Sequence, residues 1–239
     1  MKSAELLSRT DATSWSRIAM VAAYFWPRLK TYCIFVPLLS AAVTWAVMYV
    51  PEPAYKQMMM LLLSLMIIFA PIKLAKRPDG DFTYTLPALG WEKCTVIFGF
   101  ILVVIPLLVI ATSEIVALLV IDGNESAVIS AMGVSPDTGA TMAIAGWTMV
   151  YAAVAACLWA VMSTGRSRAV KGVIAALVVL FGLTAIVGFI AGFLMALLSG
   201  EAGPNPAAIP FDYIEMAVGI TIFIVFIIKS ARAISRREI

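Results

Sequence analysis

Glu114 is the carboxylate set deepest in an apolar run of this chain. A charge placed there is costly and often functional, so Glu114 is the first candidate for a transport role, the other reading being an interfacial or bundle-facing polar residue. Counted from Thr95, it falls near the far end of its run, where water is within reach. Glu215, at the start of the last apolar run, has a similar position. Most other chemistry is excluded by absence. There are no histidines, which removes HExxH metal sites, haem ligation and every His-dependent acid, base or triad arrangement. There is no GxxxxGK[ST], so the chain has no P-loop of its own for ATP. Cys33, Cys94 and Cys157 are scattered, with no CxxC pair, and are expected to pack in the core or against lipid.

The elements that carry these residues are apolar to a degree that defines the class. Apolar residues make up 62% and charged residues 13% of the 239, against roughly 45–50% and about 25% for soluble domains. Such a chain is an integral membrane protein. Uncharged stretches near the roughly 20 residues that cross hydrocarbon predict six spans: Tyr32–Val50, Gln57–Leu74, Thr95–Val120, Gly139–Met162, Val170–Leu198 and Phe211–Ile228. Nothing shows the alternation of a β-barrel, so the expected fold is all-α, a single transmembrane domain over 1–239. It divides into an N-terminal interfacial segment (1–30), the six-helix bundle (32–228) and a basic tail (229–239).

Charge orients the spans. Lys2, Arg9, Arg17, Arg28 and Lys30 precede the first. Lys73, Lys76, Arg77 and Lys93 lie between the second and third, Arg166, Arg168 and Lys171 between the fourth and fifth, and Lys229, Arg232, Arg236 and Arg237 after the sixth. Alternate loops thus hold nearly all the positive charge. The positive-inside rule then puts both termini in the cytoplasm, with the chain in the cytoplasmic (inner) membrane. The net charge of +3 reads as orientation, not as affinity for nucleic acid. The first apolar run is long enough to span, so a retained helix is expected and not a cleaved signal.

Three further segments stand out. In residues 13–30, Trp15, Ile18, Ala19, Ala22, Phe25 and Trp26 share one helical face, with Pro27 after them. This predicts an amphipathic helix lying in the membrane interface, bent from the first span at Pro27; the other reading is that it simply extends the first span into the cytosol. In the fifth span, Gly188 and Gly192 form a GxxxG suited to close helix packing. The segment after it, 199–213, is rich in Gly and Pro and predicts a short re-entrant or surface helix over part of 193–213. Pro106 predicts a kink in the third span.

The third segment is TYTLPALGWEKC, residues 83–94, placed on the cytoplasmic side by the charge rule. Pro87 can open a short helix. Leu86, Leu89 and Trp91 give it an apolar knob, and Glu92 and Lys93 a charged rim. That is the composition of a docking surface, or of a solvated loop with Trp91 anchored in the headgroups.

With six spans, an interfacial N-terminal helix and TLPALGWEK after span two, the chain resembles the permease subunit of an ABC-2 type ABC transporter. The residues that carry the likeness are Leu86, Pro87 and Glu92, with Lys93 consistent. Gly90 and Trp91 stand where members often have polar or basic residues. The resemblance implies a separate cytosolic ABC ATPase that binds ATP and Mg, with no cofactor on this chain. Residues 86–93 would be the coupling helix seated in that ATPase. Two permeases, as a homodimer or a heterodimer with a related chain, would form an export route in the lipid bilayer. The rival readings are a non-transporting scaffold or assembly protein, a secondary transporter and, last, a membrane enzyme.

Overall fold

A computed structural model describes residues 14–49, 53–72, 88–120, 139–163, 167–198 and 211–235. They are helical almost throughout. Helix α1 is Ser14–Tyr49 and α2 is Pro53–Ile68. Helix α3 covers residues 90–120, as α-helix Gly90–Phe98, a π-helical stretch Gly99–Val104 and α-helix Ile105–Val120. Helix α4 is Gly139–Met162. Helix α5 covers residues 168–198, with π-helix Val178–Gly182 between α-helices Arg168–Leu177 and Leu183–Leu198, and α6 is Phe211–Ser235.

Five stretches among the described residues are long and apolar enough to cross a membrane: Leu29–Ala46, Gly90–Val116, Ile144–Met162, Arg168–Ile190 and Tyr213–Ser235. The chain is a multi-pass membrane protein, with helices and no strand among its described residues. The expected span Gln57–Leu74 differs. Helix α2 has 16 residues, about 24 Å at 1.5 Å per residue, and stops at Ile68. Pro71 accounts for the stop, because it has no N–H to return to Ile67 and its ring crowds that carbonyl. The Ala70 N–H bonds to the Ile67 carbonyl instead, at 3.2 Å. The Met66 carbonyl is thereby left without its helical donor, and the Tyr32 hydroxyl of α1 donates to it.

The expected separation of an interfacial helix from the first span is corrected. Helix α1 runs unbroken through Pro27 and Pro37 for 36 residues, about 54 Å, well beyond the roughly 30 Å of hydrocarbon. Val21, Phe25 and Leu29 explain its continuity. They lie at four-residue intervals on both sides of Pro27 and bury in one core cluster, so tertiary packing holds the stripe in line where the proline removes a hydrogen bond. The fifth helix likewise continues to Leu198, so residues 193–198 belong to it; the remainder of the segment expected to be re-entrant, up to residue 210, lies outside the described residues.

Helix α4 is the centre. Of its most apolar stretch 67% is buried, against 11% for the corresponding stretches of α5 and α6. Ala145, Ala152, Ala153, Ala155, Ala156 and Ala160 are buried along it, and small side chains let neighbouring backbones approach. The neighbours use glycine for the same end. A Cβ on Gly219 of α6 would lie 2.7 Å from Thr148 Oγ1, and one on Gly172 of α5 would lie 2.8 Å from Val161 Cγ2.

Helices α1 and α3 run parallel. Arg17 meets Glu92 near their starts, and Ser40 and Thr44 meet Ser113 near their ends. The buried hydroxyls form a directed chain. Thr44 donates to Ser113 at 3.0 Å and Ser40 donates to the Val109 carbonyl at 3.2 Å. With its one proton so used, Ser40 accepts from Ser113 at 3.0 Å. Such polar contacts hold helices together where lipid supplies no hydrophobic drive.

Pro106 follows the π-helical stretch of α3. Lacking an N–H, it cannot serve the Leu102 carbonyl four residues back, and Tyr151 Oη of α4 donates to that carbonyl at 3.2 Å. The expected irregularity at Pro106 therefore takes the form of a π stretch joined to α4.

Candidate functional site

The starts of α1 and α3 and the ends of α4 and α6 meet at one end of the bundle. Val21, Phe25, Leu29, Cys94, Val96, Ile97, Leu158 and Ile234 pack there in one cluster. Arg17, Lys93, Lys229 and Arg232 belong to the same end, which we call the basic end. Lys229 lies over the ring of Trp159, with Nζ 5.3 Å from the centroid, an arrangement that lets an ammonium group leave the apolar layer along an aromatic face.

Helix α3 begins at this end with a compact set of contacts. Leu89 is extended, at φ −66° and ψ 152°, and its carbonyl accepts the Glu92 and Lys93 N–H groups at 3.0 and 3.1 Å. Leucine offers no side-chain acceptor to the helix start. Glu92, three residues on, makes the return half of a capping box by accepting the Leu89 N–H at 2.9 Å. This turns Glu92 inward, and it is 0% exposed. An ionised carboxylate so buried is costly unless paired and hydrogen-bonded. Arg17 Nε, 75 residues earlier in the chain, donates to both oxygens, at 2.9 and 3.2 Å. The Arg17 side chain is 28% exposed, so the pair is buried at its acidic end and reaches solvent at its basic end.

With Glu92 pinned, Leu89 and Trp91 face outward, each 53% exposed. Thr95 Oγ1 donates to the Trp91 carbonyl at 2.9 Å, which steadies the next turn.

The predicted site residues divide accordingly. Leu89 and Trp91 are exposed, as a docking knob requires. Leu86 and Pro87 lie outside the described residues. Glu92 and Lys93 correct the expectation of a charged rim: both are buried, because Glu92 folds back to cap the helix and Lys93 turns into the bundle. Residues from Gly90 onward open the long third helix and do not form a separate short one. Of the interfacial set, Trp15 and Trp26 are exposed. Phe25 is 2% exposed and Ile18 packs against the same cluster, so that stripe serves the core on one side and presents its tryptophans on the other.

Gly188 is exposed, and a Cβ there would meet nothing within 4 Å. Among the described residues it makes no close helix approach, whereas Gly172 and Gly219 do. The side-chain surroundings of Gly192 lie outside the described residues. Glu114 is half-buried, one residue beyond the hydroxyl chain. Among the described residues no three His, Cys, Asp or Glu side chains group as a metal site. Cys94 and Cys157 are buried, and Cys33 is half-buried.

Sequence reading missed the Arg17–Glu92 pair, the two tyrosine-to-carbonyl bonds and the Ser40–Thr44–Ser113 chain. The signals were present as a Glu three residues after an extended Leu, prolines four or five residues beyond the carbonyls that the tyrosines serve, and Ser40 and Thr44 four apart in an apolar run. No protein family, curated protein or solved structure matches this chain. The functional reading therefore rests on the geometry and on the residues at the basic end.

Proposed function

We propose that this chain is the membrane-spanning permease subunit of an ATP-driven transporter of the ABC-2 type. A separate cytosolic ATPase would dock on Leu89, Trp91 and the residues just before them. The observation that carries this reading is the pair of exposed apolar side chains on a helix start that a buried ion pair immobilises. A loop needed only to connect spans has no use for a fixed apolar knob. Rigid presentation lowers the ordering cost of binding, and tryptophan is among the residues that dominate interface energies.

The topology supports the reading. Because α1 and α3 run parallel with their starts in contact, the chain from 50 to 89 must return along the bundle. If α2 is taken as the returning crossing, the reading has six crossings, with the start of α1 and the end of α6 on the basic end, which the positive-inside rule would assign to the cytoplasm. A cytosolic partner would then have access to Leu89 and Trp91. Closure of two ATPase subunits would move a pair of permeases between inward- and outward-open states. ATP and Mg belong to the ATPase, and the second permease is another copy or a related chain.

The test is copurification from membranes, with the ATPase identified by its P-loop sequence. Leu89→Asp with Trp91→Asp is expected to abolish association while thermal unfolding of the chain stays near that of the parent. Association that survives both substitutions rejects the docking site.

A further inference from the structure

We propose that Arg17 is a positioning residue. Through Glu92 it joins the first turns of α1 and the first turns of α3 into one mechanical body, and the π stretch Gly99–Val104 is the hinge on which that body turns. The proposal rests on the reading of Leu89 and Trp91 as a docking surface for its purpose, but not for its test.

Three observations meet here. First, Glu92 has two duties on one carboxylate, accepting the Leu89 N–H of its own helix and the Arg17 Nε of another. Neither helix start can shift without straining a bond to a group that is wholly buried. Second, Val21, Phe25 and Leu29 pack in one cluster with Cys94, Val96 and Ile97, so apolar packing extends the junction over about two turns of α1 and about one turn of α3. Third, regular α-helix in α3 ends at Phe98, and Phe98 and Phe100 are the last residues of α3 that pack against that cluster. The π stretch and Pro106 follow, and π stretches and prolines are where helices bend. Trp26 of α1 reaches the edge of this region, its ring centroid 6.2 Å from that of Phe100.

A load on Leu89 and Trp91 thus arrives on a regular helical segment with the irregular π stretch behind it, which is joined to α4 through Tyr151. The segment can pass it sideways to α1 through Arg17 more readily than lengthwise past the hinge. Helix α1 carries it on toward Ser40 and Thr44, where the hydroxyl chain rejoins the far part of α3.

Amide hydrogen exchange on the full chain, alone in lipid nanodiscs, tests the junction without any ATPase. Glu92→Gln keeps an N3 side chain able to cap but loses the ion pair, and Arg17→Ala leaves the cap untouched. A hydrogen bond to a charged group accounts for roughly a tenfold change or more in an opening equilibrium. Each variant is therefore expected to speed exchange by about tenfold both in residues 15–29 and in residues 89–98, whichever helix carries the substitution. Arg17→Lys, which keeps the charge, should restore most of the protection in both segments. Exchange after Ile105 should stay at the parent rate.

Loosening confined to the helix that carries the substitution would overturn the single body. Loosening that runs on past Ile105 would overturn the hinge. Either result stands whether or not an ATPase docks on Leu89 and Trp91, and loss of that docking reading would leave the exchange result unaffected.

Discussion

A buried carboxylate is stable at Glu92 because its neighbours were fixed by local rules first. The extended Leu89 leaves its own N–H free at the helix start, and Glu92 is the side chain at the right spacing to accept it. Arg17 then neutralises what the turn has buried. The two partners are not equivalent. Removing Arg17 takes a charged partner from a carboxylate that is 0% exposed, whereas an Arg17 without Glu92 can turn its 28% exposed side chain to solvent. Arg17→Ala is expected to destabilise the chain by about 2–3 kcal/mol and Glu92→Leu by about 1 kcal/mol, mostly the lost cap. Thermal or denaturant unfolding in detergent would read the order, and the reverse order would contradict the burial argument. Hydroxyl contacts between helices are smaller. Ser113→Ala, which breaks the chain between Thr44 and Ser40, and Tyr151→Phe, which strands the Leu102 carbonyl, should each cost about 0.6 kcal/mol per bond lost. At this scale the sequence displayed the residue types but not their partners, since Arg17 and Glu92 are 75 positions apart.

Among the elements, hydrophobic run length marks where long apolar helices can form, because the bilayer imposes that length, and five such stretches are present among the described residues. Expected Gly139–Met162 and observed α4 coincide, and the other apolar runs fall within or across observed helices. The misreadings came at prolines. Pro27 was expected to divide α1 and does not, because Val21, Phe25 and Leu29 bury across it. Pro71 ends α2, where Ile67 and Ile68 are already seated in the core and Tyr32 is at hand for a freed carbonyl. Glycine shows the same dependence on neighbours. Gly219→Ala puts a Cβ 2.7 Å from Thr148 Oγ1 and 3.2 Å from its carbonyl carbon, a clash with backbone that should cost about 1–3 kcal/mol. Gly188→Ala meets open space and should be neutral or stabilising by up to about 1 kcal/mol, since alanine is the better helix former. Unfolding midpoints of the two variants would separate them. A destabilised Gly188→Ala would mean that a second helix covers that face.

For the whole molecule, the parallel course of α1 and α3 makes a prediction about sidedness. Cysteines placed at Trp15 and Trp91 should react with a membrane-impermeant maleimide from one side of sealed, right-side-out or inverted vesicles, and a cysteine at Tyr49 from the other. Labelling of Trp15→Cys and Trp91→Cys from opposite sides would overturn the proposed six crossings and with them the proposed cytosolic docking surface. The sequence by itself determined that this chain is helical and lives in a membrane. Run length, composition and charge are local quantities, and water and lipid act on each segment separately. Only the tertiary structure decided that Glu92 and Lys93 turn inward, that Phe25 is core, that Gly188 is open while Gly219 is crowded, and that α1 is clamped to the start of α3. Those outcomes depend on which segments become neighbours, and a contact energy exists only once both partners are in place.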